Sequence, residues 1–104
     1  MLNYNMKNIH ILEGSNNTLI SAPHTYIHRR PNLLDKYKLG EVKTDDIVIG
    51  VCDKGEVYGI YTTKKTDYDP NYHKIANNSY KRKVENIVKK TEKHWGLSTI
   101  LRTL

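Results

Sequence analysis

The feature that most constrains the fold is an amphipathic helical pattern in the C-terminal part of the chain. Apolar side chains recur there at spacings of three and four residues, which places them on one face of an α-helix. They are Tyr80, Val84, Ile87, Val88, Thr91 and Trp95. Ser79 is the predicted N-cap and Gly96 the predicted stop. With 104 residues and 38% hydrophobic composition, the chain is expected to form one modest core that includes this face.

Short strand-like segments account for most of the remaining apolar residues. The predicted strands are residues 7–12, 18–22, 56–63 and, by composition, 97–101. A turn cluster at residues 14–17 is typical of a hairpin between the first two. Residues 41–52 fit either a strand, which propensity favours, or a helix that begins near Glu41.

Charge and cysteine content narrow the class of protein. Seventeen Lys and Arg residues against eleven acidic ones give a formal charge of +6, which favours encounter with anions. No apolar run approaches the roughly 20 residues that span a bilayer, so no membrane segment is expected. One cysteine, Cys52, excludes an internal disulfide, and its apolar neighbours predict a buried structural thiol. A cytoplasmic protein is the expectation.

The segment 21–30 concentrates side chains with binding chemistry. It contains His24, His28 and Arg30 directly after a predicted strand, and Pro23 ends that strand. Imidazole is the commonest metal ligand in proteins, and an Arg guanidinium matches a carboxylate or a phosphate. The segment therefore indicates a metal site or an anion site, with surface histidines as the alternative.

Two later positions could complete such a site. Glu41 offers a carboxylate for a metal shared with His24, although on the residues alone a first-turn Glu that compensates a helix dipole is the favoured explanation. Asp69-Pro70-Asn71 follows the strand at 56–63 and would lie at the same sheet edge as His24 if the two strands are parallel neighbours. Its local alternative is a simple turn.

Six short motifs stand in a recognisable order along the chain. They are Ala22-Pro23-His24, His28-x-Arg30, Lys38-x-x-Glu41-x-x-Thr44, Tyr61-Thr62-Thr63-Lys64, Asp69-Pro70-Asn71-Tyr72 and Ser79-Tyr80-Lys81. In order and spacing, over about residues 18–92, they resemble the N-terminal half of the N-formylglutamate amidohydrolase-like proteins.

The resemblance implies a fold similar to the zinc carboxypeptidases, an α/β domain with a mixed or mostly parallel sheet and flanking helices. It also implies a helix over residues 41–52, and we adopt this helix over the strand that propensity favours. It implies one zinc ion at the strand ends and hydrolysis of an amide bond of an acidic amino acid. His24 and Glu41 would be zinc ligands, and His28, Arg30 and Asn71 would bind the substrate. The implied substrate is a small acidic N-acyl amino acid or peptide.

The family pattern continues beyond the basic helix to a third ligand and a catalytic carboxylate, and this sequence shows no counterpart of either before Leu104. We therefore expect a single domain, residues 1–104, that corresponds to a truncated copy with an incomplete catalytic site. Half of a parallel sheet leaves an edge open, so we also expect a second copy or a partner chain to cover it.

A second interpretation comes from the basic residues of the predicted helix. A small binding module for nucleic acid or an acidic protein would use Lys81, Arg82, Lys83, Lys89 and Lys90. The alternative is that these side chains form an ordinary solvated helix face.

Overall fold

The structure, a computed structural model, describes residues 8–26, 28–29, 37–38, 40–64, 70 and 78–104. Its elements are β1 (Ile9–Leu12), β2 (Thr18–Ala22), β3 (His28–Arg29), β4 (Tyr37–Lys38), α1 (Thr44–Val51), β5 (Tyr58–Thr62), α2 (Ser79–Trp95) and β6 (Ile100–Thr103). No helix in these ranges is long and apolar enough to cross a membrane.

A four-stranded sheet with the order β1-β5-β2-β6 forms the centre of the molecule. Strand β2 pairs in parallel with both β5 and β6, and β1 runs antiparallel to β5. The short strands β3 and β4 form a separate antiparallel pair. The predicted α/β class with a mixed, mostly parallel sheet is confirmed.

The predicted hairpin between the first two strands is wrong. β5 lies between β1 and β2, so those two strands are not neighbours. The backbone N–H groups of Ser15 and Asn16 both donate to the carbonyl oxygen of Glu56, at 2.9 and 3.0 Å. The turn cluster therefore packs against the segment that leads into β5, and the hairpin-like composition reflects this contact.

Helices cover both faces of the sheet. Successive side chains of β2 point to opposite faces, and those on each face pack with a different helix. Leu19 contributes to a cluster with residues of β1, β5 and α2, whereas Ile20 and Ala22 pack with α1. The cluster on the α2 side contains Ile9, Leu19, Tyr58, Ile60, Tyr80, Val84 and Ile87. The cluster on the α1 side contains Ile20, Ala22, Val48 and Cys52. The flanking helices are thus confirmed.

The helix α2 follows the prediction closely, with corrections at both ends. Its N-cap is Asn78, one residue before the predicted Ser79, and the Asn78 side chain accepts a hydrogen bond from the Lys81 N–H at 2.9 Å. Gly96 ends the helix in the left-handed conformation, with φ 66°, as predicted. Trp95 is 45% exposed, so the buried face ends one turn earlier than its apolar pattern.

The helix α1 resolves the ambiguity of residues 41–52 in favour of a helix, which begins at Thr44 and not at Glu41. It docks closely over β5 at Gly59. A Cβ atom at Gly59 would stand 2.7 Å from both Cys52 Sγ and Val48 Cγ1, so a glycine is needed there. Cys52 is buried, as predicted, and this burial raises the pKa of its thiol.

Candidate functional site

The predicted ligand His24 lies just beyond the carboxyl end of β2. The last residue of β2, Ala22, is level with Tyr61 of the parallel neighbour β5. Thr62, which ends β5, donates a hydrogen bond from its hydroxyl to the carbonyl oxygen of Pro23 at 3.3 Å. The turn that carries the half-buried His24 is therefore fastened to the end of β5. This is the sheet edge at which α/β proteins bind ligands.

The second predicted ligand, Glu41, is held directly beside His24. The backbone N–H of Glu41 donates to the carbonyl oxygen of His24 at 2.6 Å. A Cβ atom at Gly40 would stand only 2.3 Å from the carbonyl oxygen of Thr25, so the two segments touch at backbone distance. The structure thus brings together two residues that are separated by 16 others in the sequence.

Two threonines reinforce this contact. The hydroxyls of Thr25 and Thr44 share a hydrogen bond of 2.8 Å, and Thr44 also donates to the carbonyl oxygen of Glu41 at 2.9 Å. Because Thr44 opens α1, the position of Glu41 is coupled to the start of that helix. The side chain of Glu41 is exposed and accessible to a ligand.

The pair offers one imidazole and one carboxylate, a donor set that suits zinc. A catalytic zinc usually has three protein ligands. Within the described residues, no group of three or more His, Cys, Asp or Glu side chains could hold a metal ion. The structure places the backbones of His24 and Glu41 side by side, and among the described residues the two belong to no group of three potential ligands.

A tyrosine at the same end of the sheet was missed by the sequence reasoning. Burial, and then the nearby Asp45, Tyr26 and Asp46, raise the pKa of Tyr61 above its ordinary value of 10.0. A tyrosine hydroxyl is protonated at neutral pH in any case, and the raised pKa keeps the proton to a higher pH. The Tyr61 ring also packs against His10, with 5.3 Å between ring centroids. The sequence placed Tyr61 in a strand and in the Tyr61-Thr62-Thr63-Lys64 motif but gave it no role in the site, because its acidic neighbours come from α1 and not from nearby positions.

Three predicted site residues lie wholly or partly outside the part of the chain that the structure describes. Arg30 and Asn71 lie outside the described residues, and His28 is described only as part of the backbone of β3. The sequence placed the Asp69-Pro70-Asn71 motif at the same sheet edge as His24 only if the strands before them are parallel neighbours. Those strands, β2 and β5, do pair in parallel. Pro70 itself is buried, and its carbonyl oxygen accepts a hydrogen bond from Asn78 Nδ2 at 3.1 Å.

The five basic residues predicted for the alternative function lie on different sides of α2. Arg82 and Lys89 point outward on the exposed face, Lys83 lies next to them, and Lys81 lies on the other flank. Lys90 forms an ion pair with Glu13 at 3.0 Å and lies 5.6 Å above the centre of the Tyr58 ring. That hydrogen-bonded ion pair raises the pKa of Lys90.

No protein-family model, no curated protein and no solved structure matches this chain.

Proposed function

We propose that this chain is a zinc-binding α/β domain of the N-formylglutamate amidohydrolase-like type, with its metal site on His24 and Glu41. The observation that carries the proposal is the 2.6 Å backbone hydrogen bond between these two residues. The motif resemblance named them as ligands from sequence alone. The contact joins two residues that lie 17 positions apart in the chain.

The surroundings of the pair suit this chemistry. The site lies at the carboxyl end of parallel strands, where side chains from successive loops converge. A bound zinc ion lowers the pKa of water to about 7 and polarises an amide carbonyl. Glu41 contributes an exposed carboxylate, and the Thr25–Thr44 hydrogen bond holds its backbone in place. Tyr61 lies at the same end of the sheet.

The substrate class follows from the resemblance and from the charge of the chain. We propose an amide of an acidic amino acid, held through its carboxylates by His28, Arg30 and Asn71. The guanidinium fork of Arg30 suits a carboxylate, and the +6 formal charge favours its approach. Since the described residues hold no third ligand, the proposal covers zinc binding.

Zinc retention after desalting tests the metal site. Metal-free protein is loaded with zinc, desalted and analysed for zinc per chain, alongside His24→Ala and Glu41→Ala. We expect about one zinc per chain in the original protein and a loss in both variants, because each variant removes one of the two proposed ligands. Circular dichroism would confirm that the variants are folded.

The matched control is His94→Ala. His94 is an exposed imidazole, and it lines a depression with Tyr58 at the opposite, amino end of β5. Zinc content should be unchanged in this variant. Stoichiometric zinc in both the His24 and the Glu41 variants, or none in the original protein, would refute the proposed site.

A further inference from the structure

The strand β6 forms an exposed edge of the central sheet. Among the described residues it has one strand neighbour, β2, and it stands at the end of the strand order. All four of its residues are exposed. At the other edge, β1 buries Ile9, and of its four residues only His10 is exposed. The two edges therefore differ, and β6 is the one with more surface open to another chain.

The backbone of β6 offers hydrogen-bonding groups on its outer side. The N–H groups of Ile100 and Leu104 donate to carbonyl oxygens of β2 and of the residue before it, each at 2.8 Å. Backbone groups point alternately to the two sides of a strand, so those of Leu101 and Thr103 point away from β2. An outward row of N–H and C=O groups is a template for pairing with a further strand.

Exposed apolar side chains accompany this open edge. Ile100 and Leu101 are 50% and 43% exposed, and Trp95 and Leu97, just before the strand, are 45% and 62% exposed. Exposed apolar side chains that lie close together mark interaction surfaces. Proteins protect open edges with proline or charged side chains, and β6 contains no proline and one charge, that of Arg102. A further strand would therefore bury both apolar surface and backbone groups.

We propose that β6 pairs in the antiparallel direction with β6 of a second copy of this chain, about a twofold axis at Leu101. In this register the outward N–H of each Leu101 donates to the Leu101 carbonyl oxygen of the other copy. Each Thr103 N–H donates to the carbonyl oxygen of Thr99, the residue before the strand, in the other copy. The two four-stranded sheets then form one continuous sheet through an isologous contact. The proposal specifies the edge and the register of the contact that the sequence led us to expect.

The sequence of β6 is complementary to itself in this register. Leu101 lies opposite Leu101 on one face, and Ile100 lies opposite Arg102 on the other, so the one charge of the strand does not face itself. An axis at Arg102 would place two arginines directly opposite each other, which destabilises a strand pair. An axis at Ile100 would extend the pairing to Leu97, outside the strand. This match favours a second copy as the occupant of the edge.

The size of the contact and the charge of the chain determine how tightly the copies associate. The paired segment is short, and small interfaces are weak, so we expect a dissociation constant in the micromolar range. Each copy carries a formal charge of +6, so two copies repel each other. Salt screens this repulsion and should strengthen the association, whereas it would weaken the binding of an acidic partner.

Sedimentation equilibrium of the original protein in zinc-free buffer tests the proposal. The average mass should rise from one chain to two as the protein concentration increases, and more readily at high salt than at low salt. Leu101→Lys and Leu101→Glu each place like charges opposite each other at the axis and should weaken self-association at least about tenfold. An equimolar mixture of these two variants should associate again, because opposite charges then lie opposite each other.

The matched control is Ile49→Lys, since Ile49 is also 43% exposed but lies on α1. It should change the dissociation constant less than about threefold. Circular dichroism would confirm that each variant is folded. A mass of one chain at every concentration, equal losses in the Leu101 and Ile49 variants, or no association in the mixture would overturn the proposal. None of these outcomes depends on the zinc ligands His24 and Glu41.

Discussion

The two helices on either side of the sheet are positioned by different means. α2 has 17 residues, a side-chain N-cap at Asn78 and a left-handed Gly96 at its end, so its own sequence defines it. α1 has 8 residues, and its N-cap residue, Lys43, has φ 73° and no capping side-chain hydrogen bond. Its one buried side chain is Val48. The contrast indicates that local signals fix α2, whereas contacts with the sheet and with the turn after β2 fix α1.

The substitution Gly40→Ala should have the largest effect, because it tests whether the turn after β2 positions α1. The added Cβ would approach the backbone of Thr25 to 2.3 Å, and a backbone atom cannot move aside as a side chain can. We expect a loss of about 3 kcal/mol in the free energy of unfolding, measured by urea denaturation, and a weaker hold on zinc. Unchanged stability would show that the contact between the turn and the start of α1 does not position this helix.

A second change acts on the docking of α1 over β5. In Gly59→Ala the new Cβ would lie 2.7 Å from the tips of Cys52 and Val48, which are side-chain atoms and can yield a little. We expect a loss of about 2 kcal/mol by the same measurement. The control is Gly50→Ala within α1, where nothing lies within 4 Å; alanine there should stabilise the protein by up to about 1 kcal/mol. Equal effects of the two substitutions would contradict the close docking.

The third substitution tests whether the Asn78 N-cap fixes the start of α2. Asn78→Ala removes the cap to the Lys81 N–H and the hydrogen bond to the Pro70 carbonyl, and should cost about 1 to 2 kcal/mol in thermal or urea unfolding. Ser79→Ala, at the position that the sequence suggested as the cap, should cost less. A larger loss for Ser79→Ala would mean that α2 starts as the sequence predicted.

The smallest expected effect is a pH dependence at the end of α1. Burial raises the pKa of Cys52 above its ordinary value of 9.0, so the folded state favours the protonated thiol. The resulting stability is complete below pH 9 and is lost as the pH rises through the folded-state pKa. Between pH 8 and 10.5, the original protein should lose slightly more unfolding free energy than Cys52→Ala. Parallel curves for the two proteins would contradict a protonated, buried thiol.

The sequence predicted α2 well because its signals are local. The apolar period, the terminal glycine and a polar residue at the N-terminal boundary all lie within the helix or next to it. The cap shifted by one residue, because Asn78 also bonds to the distant Pro70 carbonyl, which no local pattern reveals. Trp95 fits the apolar period and is nevertheless exposed.

Non-local contacts explain what the sequence could not predict. The β-branched run Ile47-Val48-Ile49 favours a strand by propensity, and docking over Gly59 places it in a helix. The order of strands was missed because β5, far along the chain, lies between β1 and β2. In the site, His24 and Glu41 were predicted as a pair, whereas Asp45 and Asp46 come near Tyr61 only because α1 packs against β5.

The most direct test of the zinc site is nuclear magnetic resonance of the imidazole nitrogens during a zinc titration. The chain has five histidines, and each can be assigned by single substitution in nitrogen-15-labelled protein. We predict that the ring nitrogens of His24 shift and saturate at about one zinc per chain, while those of His94 do not change. Glu41→Ala should weaken the response of His24. If zinc leaves the His24 ring unaffected, or shifts His94 equally, the proposed metal site is wrong.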